Sequence, residues 1–383
     1  MPKSTVFVGM SGGVDSSVSA ALLKEQGYRV VGVYMKNWSK DLPGMECPWA
    51  ADLADAKRVA VRLGIDFRVF DFETEYKQKV VDYMLAEFEK GRTPNPDIMC
   101  NQEIKFKLFY DVAREQGADL IATGHYAQTD GQNLLRAVDE NKDQTYFLYR
   151  ISKEAIKHTI FPIGHLKKPE VKKLAEELDL PVAHKKESMG VCFVGEVGIK
   201  DFLQEYIKPT PGEIRDADTD TVIGQHDGAI FYTIGQRHGL DLGGGLPYYV
   251  VSKDLAKNTL YASRNLNHPS LWTDTLPLDD VVLRTDTPGF SGVRGSNAFC
   301  GGAERGSASL SAGRPWRRAG RTRPAKSVDY LVRLRHRGEL IPATLTDTTL
   351  HFATDIKRPA PGQSAVLYED NICIGGGFIS DMI

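Results

Sequence analysis

Apolar and polar positions in the first half of the chain follow two alternating rhythms. Short β-branched or apolar runs at 5–9, 29–34, 67–72 and 120–123 are separated by stretches with helical spacing at 14–26, 50–63, 75–90 and 104–116. In the first helical stretch Val18, Ala21 and Leu22 share a face, and Gly27 and Gly64 stand where a helix ends on a left-handed residue. Strands alternating with helices of this length predict an α/β domain on a doubly wound parallel sheet, with 168–178 as a further helix. The rhythm changes after Lys208-Pro209-Thr210-Pro211-Gly212. Beyond it come short β-like runs at 229–233, 248–251 and 259–262, and then an antiparallel β pattern over 330–383 that includes 331–334, 344–345, 365–368 and 373–374. The expected architecture is α/β over residues 1–205, a small β-rich domain over 206–275, and a barrel-like β domain over 276–383.

One stretch fits neither rhythm. Residues 287–326 are rich in Gly, Ser, Ala and Arg, with Arg314, Arg317, Arg318, Arg321 and Arg323 close together and few apolar positions. That is the composition of a disordered insertion; read functionally, it is a basic arm for RNA phosphates. The charge of the whole chain limits that idea. Lys+Arg 48 against Asp+Glu 50 gives −2, so any nucleic-acid surface must be a local patch. No run approaches the length of a membrane helix, and Met1-Pro2-Lys3-Ser4 leads straight into a strand without an apolar leader, so a cytoplasmic location is expected. The 5 cysteines include no C-x-x-C pair and are too scattered for a disulfide framework.

The strongest local chemistry lies in Gly9-Met10-Ser11-Gly12-Gly13-Val14-Asp15-Ser16-Ser17, between the first strand and the first helix. Glycines let backbone approach an anion closely, and the helix start offers unpaired N–H groups and a partial positive charge. Ser11, Ser16 and Ser17 add hydroxyl donors, and Asp15 is a candidate to help hold a metal, although no metal site is firmly assigned. No Gly-Lys-Ser/Thr follows, which excludes a Walker A loop. Ser-Gly-Gly-Val-Asp-Ser-Ser resembles the PP-loop of ATP pyrophosphatases. That resemblance implies ATP, with magnesium, split to AMP and pyrophosphate as an acceptor carbonyl is adenylated.

Two cysteines stand in loop-like surroundings. Two prolines in Asn95-Pro96-Asp97-Ile98-Met99-Cys100-Asn101 rigidify a loop ahead of a helix expected to start near Asn101. Cys100 would then sit at a helix N-terminus, where the dipole lowers a thiol pKa, with Asp97 near enough to exchange protons. Cys192 lies in Gly190-Val191-Cys192-Phe193-Val194-Gly195, where flanking glycines suit a loop that presents and withdraws a thiol. Either cysteine alone is also an ordinary small core residue. Cys47, Cys300 and Cys373 match no catalytic pattern and are expected to be structural.

The Asn95-to-Asn101 motif with Ile104-Lys105-Phe106, then Ala122-Thr123-Gly124-His125-Tyr126-Ala127, the Cys192 loop, Tyr232-Thr233-Ile234-Gly235-Gln236-Arg237, Pro361-Gly362-Gln363 and Gly375-Gly376-Gly377 together resemble the tRNA-specific 2-thiouridylase family, colinearly over nearly the whole chain outside 287–326. The resemblance implies an ATP-dependent tRNA-uridine sulfurtransferase. In it Gly9, Met10, Ser11, Gly12, Gly13, Val14, Asp15, Ser16, Met35 and Gly124 contact ATP. The target uridine is flipped to Asn95, Pro96 and Asp97, and its C2 oxygen is adenylated. A Cys192 persulfide then delivers sulfur, with Asp97 as acid/base and Cys100 as partner nucleophile, which either ends in a transient Cys100–Cys192 disulfide or releases sulfide to attack. His125, Lys142, Asp143, Gln144, Arg335, His336 and Gln363 would contact tRNA; Arg335-His336-Arg337 occupies the place of a basic–aromatic triplet. Implied partners are the tRNA anticodon stem-loop and a persulfide donor such as a cysteine desulfurase or sulfur-relay protein; no residue pattern marks an oligomer interface, and a monomer is expected. Two alternatives stay open on the residues: another PP-loop adenylating synthetase or tRNA-modifying ligase, and a tRNA-binding or sulfur-carrier protein without turnover.

Overall fold

A computed structural model describes residues 3–41, 47–186, 198–243, 245–284 and 327–381. The expected rhythm of strands and helices is realised. Strands β1 (Lys3–Gly9), β2 (Tyr28–Lys36), β3 (Asp66–Asp71) and β4 (Leu120–Thr123) are parallel. The short pair β5 (Gln128–Thr129) and β6 (Leu134–Leu135) follows, and then β7 (Thr159–Ile160) joins the parallel sheet. The sheet order is β3-β2-β1-β4-β7. Val6, Phe7 and Val8 of β1 are fully buried, because helices cover both faces of a parallel sheet. The order reverses between β1 and β4, so a crevice opens outside their carboxyl ends, the place where doubly wound sheets bind ligands.

Helices α1 (Val14–Glu25) and α2 (Trp49–Leu63) fall where the periodicity puts them, and Gly64 ends α2 in the left-handed conformation. Two helical readings change. The stretch expected as one helix over 75–90 is broken in the middle by a π-helix, Lys77–Val81, between Glu73–Tyr76 and Asp82–Glu89. The helix expected near 104–116 begins earlier, at Pro96, with Asn95 as its N-cap: the Asn95 side chain accepts from the Asp97 N–H at 3.0 Å. It continues through a π-helix, Cys100–Leu108, into Phe109–Glu115. Proline at the first helical position has no N–H to leave unpaired, and this outweighs the expectation that the two prolines form a loop.

The middle sheet contains β8 (Gly212–Asp216), β9 (Val222–His226), β10 (Tyr249–Asp254) and β11 (Thr259–Ser263), in the order β10-β11-β8-β9. Residues 229–233, expected as a β-like run, instead contain a 3-10 turn, Ala229–Phe231, with the Ala229 N–H held by the Asn258 side chain. The third domain uses β12 (Trp272–Leu283), β13 (Ser327–Arg333), β14 (Ile341–Thr346), β15 (Thr349–Lys357), β16 (Ser364–Glu369) and β17 (Ile372–Ile379). They pair in the order β12-β15-β14-β13-β16-β17, and β12 also pairs with β17, which closes a six-stranded barrel. β6 of the first domain adds to β17 through Leu135–Ile372 and Leu134–Cys373. The basic stretch 287–326 lies outside the described residues.

Candidate functional site

The phosphate loop follows β1 and is pinned from several sides. The Met10 N–H bonds to the Val33 carbonyl at 2.8 Å. Ser16 Oγ accepts from the Ser11 N–H at 3.2 Å, and Ser17 Oγ donates to the Gly13 carbonyl at 2.7 Å. Gly12 has φ +75, and a Cβ there would lie 2.3 Å from the Asp52 carbonyl oxygen. Gly124, just beyond β4, lies against the start of α1, where a Cβ would come 2.6 Å from the Ser16 nitrogen. The glycines therefore allow β4 and α2 to close on the loop, with the N-terminus of α1 facing the crevice. The Met35 side chain reaches over Gly9, its Cε 2.9 Å from where a Cβ would sit. Gly9, Met10, Ser11, Gly12, Gly13, Val14, Asp15, Ser16, Met35 and Gly124 thus share one neighbourhood at the switch point.

Sequence reasoning did not single out the two lysines that brace this loop. The nearly buried Lys168 places Nζ at 2.7 and 2.9 Å from the Asp15 carboxylate, which also accepts from the Tyr126 hydroxyl at 3.1 Å. Lys185 Nζ donates to the Gly12 carbonyl at 3.1 Å, to Asp52 at 2.7 Å and to Asp55 at 2.6 Å. Lys168 follows another lysine at a helix start and Lys185 lies in a His-Lys-Lys run, so nothing local marks either as more than a surface charge. The Asp15 carboxylate, expected to be open to a metal, is already paired. Among the described residues no group of three or more His, Cys, Asp or Glu side chains could hold a metal ion.

Asp97 and Cys100 stand on successive turns of the helix that starts at Pro96. Cys100 is in its second turn and its own N–H bonds to the Asp97 and Pro96 carbonyls. The dipole effect is confined to the first turn, so the expected helix-terminus activation of this thiol does not apply. Cys100 is buried at 1% exposure. Burial pushes the Asp97 carboxyl up, opposed by the positive charge of Lys105. Burial also drives the His125 imidazole well below its ordinary value, and Lys105 adds to this. Lys105 therefore lies within electrostatic reach of both groups. The helix carrying these residues widens into its π form at Cys100, a distortion common at functional sites. Cys192 lies outside the described residues, and no disulfide joins any cysteines among those described.

The residues expected to meet tRNA divide into two groups. Arg335 is exposed, and Lys142 and His336 are half-buried; the His336 ring lies 4.7 Å from that of Phe147. By contrast, the Asp143 carboxylate is fully buried. It accepts from Arg333 at 2.7 Å, from the Thr145 hydroxyl at 2.9 Å and from the Ala137 N–H at 3.2 Å. It serves the seam between the first and third domains, which corrects its reading as a side chain open to tRNA: a buried carboxylate must be paired and hydrogen-bonded, and these three partners do that. Gln144 uses its side-chain oxygen on the Tyr126 N–H at 2.9 Å. Gln363 donates to the Thr93 carbonyl at 2.6 Å and so anchors the loop before Asn95. His125 is buried, its Nδ1 2.8 Å from the Thr123 hydroxyl and its ring 5.6 Å from that of Phe106.

Comparison with known proteins agrees with this layout. Residues 4–196 match a "tRNA methyl transferase HUP domain" model, 200–264 a "tRNA methyl transferase PRC-barrel domain" model, and 313–379 an "Aminomethyltransferase beta-barrel domain" model. The tRNA-specific 2-thiouridylase MnmA of Idiomarina loihiensis is 43% identical over 393 residues, covering 99% of this chain and 96% of the relative. That of Listeria monocytogenes is 42% identical over 389 residues, covering 98% and 94%. Among solved structures, a 4-thiouridine synthetase–RNA complex with bound ATP aligns at TM-score 0.35 and 18% identity, over 53% of this chain and 50% of that one. On the full-length likeness to those relatives, the chain belongs to the tRNA-specific 2-thiouridylase family.

Proposed function

We propose that this protein thiolates C2 of the wobble uridine in tRNA, at the expense of ATP. The reading is carried by an intact phosphate loop at the sheet's switch point, in a chain that matches 2-thiouridylase relatives along its whole length.

The uridine C2 carbonyl is a poor electrophile, so its oxygen must first become a leaving group. The oxygen attacks the α-phosphorus of ATP and pyrophosphate departs. Backbone N–H groups of Gly9–Ser16 and the start of α1 cradle the phosphates, Met35 and Gly124 border the nucleotide, and the Lys168–Asp15 pair cancels a negative charge that would otherwise repel them. The base, turned out of its stack, rests by Asn95, Pro96 and Asp97. The terminal sulfur of a Cys192 persulfide attacks C2 and AMP leaves. The Cys100 thiolate then attacks Sγ of Cys192, which frees the sulfur on C2 and forms a Cys100–Cys192 disulfide for later reduction. Asp97, its carboxyl pushed up by burial, is suited to hold the proton that these steps exchange. The anticodon stem-loop would be met by the exposed Arg335 and the half-buried Lys142 and His336, with His125 and Gln363 behind them as supports. The sulfur comes from a persulfide-carrying protein.

The test is sulfur transfer to purified tRNA with ATP and a persulfide donor. Product is expected only with ATP, and Cys192→Ser and Cys100→Ser each lose it while still binding ATP. Thiolation without ATP overturns the adenylation step, and full activity in Cys192→Ser overturns the persulfide route.

A further inference from the structure

A cavity of about 300 Å³ lies where the three domains meet, walled by Gly91 of the first domain, Lys253 of β10, and Arg358, Pro361 and Asp381 of the third. Its electrostatics are unbalanced. Lys253 donates to the Tyr232 carbonyl at 2.8 Å and, among the described residues, forms no ion pair with a carboxylate. Among the described residues Arg358 reaches the Trp272 carbonyl, at 3.4 Å, and its buried Nε has no hydrogen-bond partner there. The acid in the wall, Asp381, is hydrogen-bonded by Arg92 at 2.7 and 2.8 Å and acts on Lys253 only through its charge. The remaining cation, Lys90, is paired with Glu87 at 2.7 Å.

Burial pulls the Lys253 ammonium down to about 8, with Asp381 only partly opposing, and burial alone lowers Arg358. Lys253 is largely withdrawn from water and Arg358 partly so, and a cation held in that way without a bound acid costs stability. The placement of both around one cavity, which Ser252 and Ser270 also line, is the arrangement of an oxyanion receptor. The receptor touches the substrate loop. The Thr93 N–H bonds to the Pro361 carbonyl at 2.8 Å, and the Thr93 hydroxyl lies 3.1 Å from that of Thr233. Two residues later Asn95 caps the helix that carries Asp97 and Cys100.

We propose that this three-domain junction is a phosphate-binding site in which Lys253 and Arg358 hold the oxyanion. The phosphate is either one of the RNA backbone or a free phosphate ion, and the RNA source rests on the reading of tRNA as substrate. A phosphate held there locks the three domains around the 92–95 loop, so substrate docking and the placement of Asp97 become linked.

Lys253 reports on the site in the unaltered full-length chain. Reductive methylation near pH 8, read by peptide mass spectrometry, is expected to slow several-fold at Lys253 when the site fills. Slowing by tRNA but not by millimolar inorganic phosphate assigns the RNA backbone; slowing by inorganic phosphate alone assigns the free ion. Arg358→Met and Lys253→Met give the second readout. For an RNA phosphate, each lowers the slope of log affinity against log salt by about 1 and leaves the ATP KM unchanged. Unchanged methylation with both ligands, together with an unchanged slope in folded variants, overturns the site. A chain that binds no tRNA at all strikes the thiolation reading, while protection of Lys253 by phosphate would still stand.

Discussion

The phosphate loop and the seam between the first and third domains both contain a buried cation paired with an aspartate, yet they are built in opposite ways. At the loop, the groups facing an anion come from one run, Gly9 to Ser16, and most are backbone; Lys168, 153 residues further on, only braces Asp15 from behind. At the seam nothing is local. Asp143 meets Arg333 across 190 residues, and its neighbour Thr145 reaches the Tyr368 hydroxyl at 3.1 Å across 223. A loop built this way is expected to withstand changes in its side chains better than changes in its backbone. The seam depends on its side chains being matched.

Substitutions that attack each region in its own terms sharpen that contrast. Gly12→Ala is expected to be the most damaging, because the new Cβ needs a left-handed backbone and meets the Asp52 carbonyl oxygen at 2.3 Å. A shift of about 1 Å in a reacting group costs on the order of 100-fold in rate, so ATP-dependent thiolation should fall at least that far while tRNA binding persists. Gly12→Ala with wild-type turnover would show that the loop is not backbone-made. At the seam, Asp143→Ala strands Arg333 in the interior and should destabilise the docked barrel by about 3–5 kcal/mol. The measurement is faster hydrogen exchange in β13 and β16, with the ATP KM unchanged. Unaltered exchange there would mean the pair carries no stability.

The same contrast explains what could be read from the chain alone. The doubly wound sheet and the phosphate loop were legible because their determinants are periodic or contiguous. Val6, Phe7 and Val8 form an apolar run, and Ser11 to Ser17 stand together. Cys100 was placed correctly beside Asp97 but at the wrong depth in its helix, because two prolines suggest a loop whereas Pro96 sits at the first helical position under an Asn95 cap. Asp143 in a polar turn looks solvated, and only the arrival of β13 buries it. Lys168, Lys185 and Lys253 gave no signal at all. A lysine earns its role from distant partners, and no short-range pattern separates a bracing lysine from a solvated one.

A smaller effect tests whether Lys168 acts through charge. Lys168→Met leaves the Asp15 carboxylate uncompensated beside the phosphates and should raise the ATP KM about tenfold, or roughly 1.4 kcal/mol, with a lesser effect on kcat. Adding Asp15→Asn removes the stranded charge and should recover most of that loss. No recovery in the double variant would mean that Lys168 serves the phosphates directly, and the loop would then depend on a distant side chain just as the seam does.

The smallest expected effect lies beside the seam, at His336. Burial, reinforced by Arg337, lowers its imidazole to about 4, and its Nδ1 is buried without a partner. An unfolded histidine titrates near 6.5, so between about 6.5 and 4 the unfolded chain binds a proton that the folded chain refuses. Stability is therefore fully present above pH 6.5 and is lost as the pH falls through that window. The ring is half-exposed, and solvent screening holds the contribution to at most about 2 kcal/mol. His336→Phe keeps the contact with the Phe147 ring and should flatten the acid side of the stability profile, measured by denaturant unfolding between pH 4 and 7. His125, buried and neutral in the same way, remains in that variant, so the profile should soften without becoming level. A profile that keeps its full slope would place the acid sensitivity in the other buried histidines, His125 and His226, and leave the seam indifferent to pH.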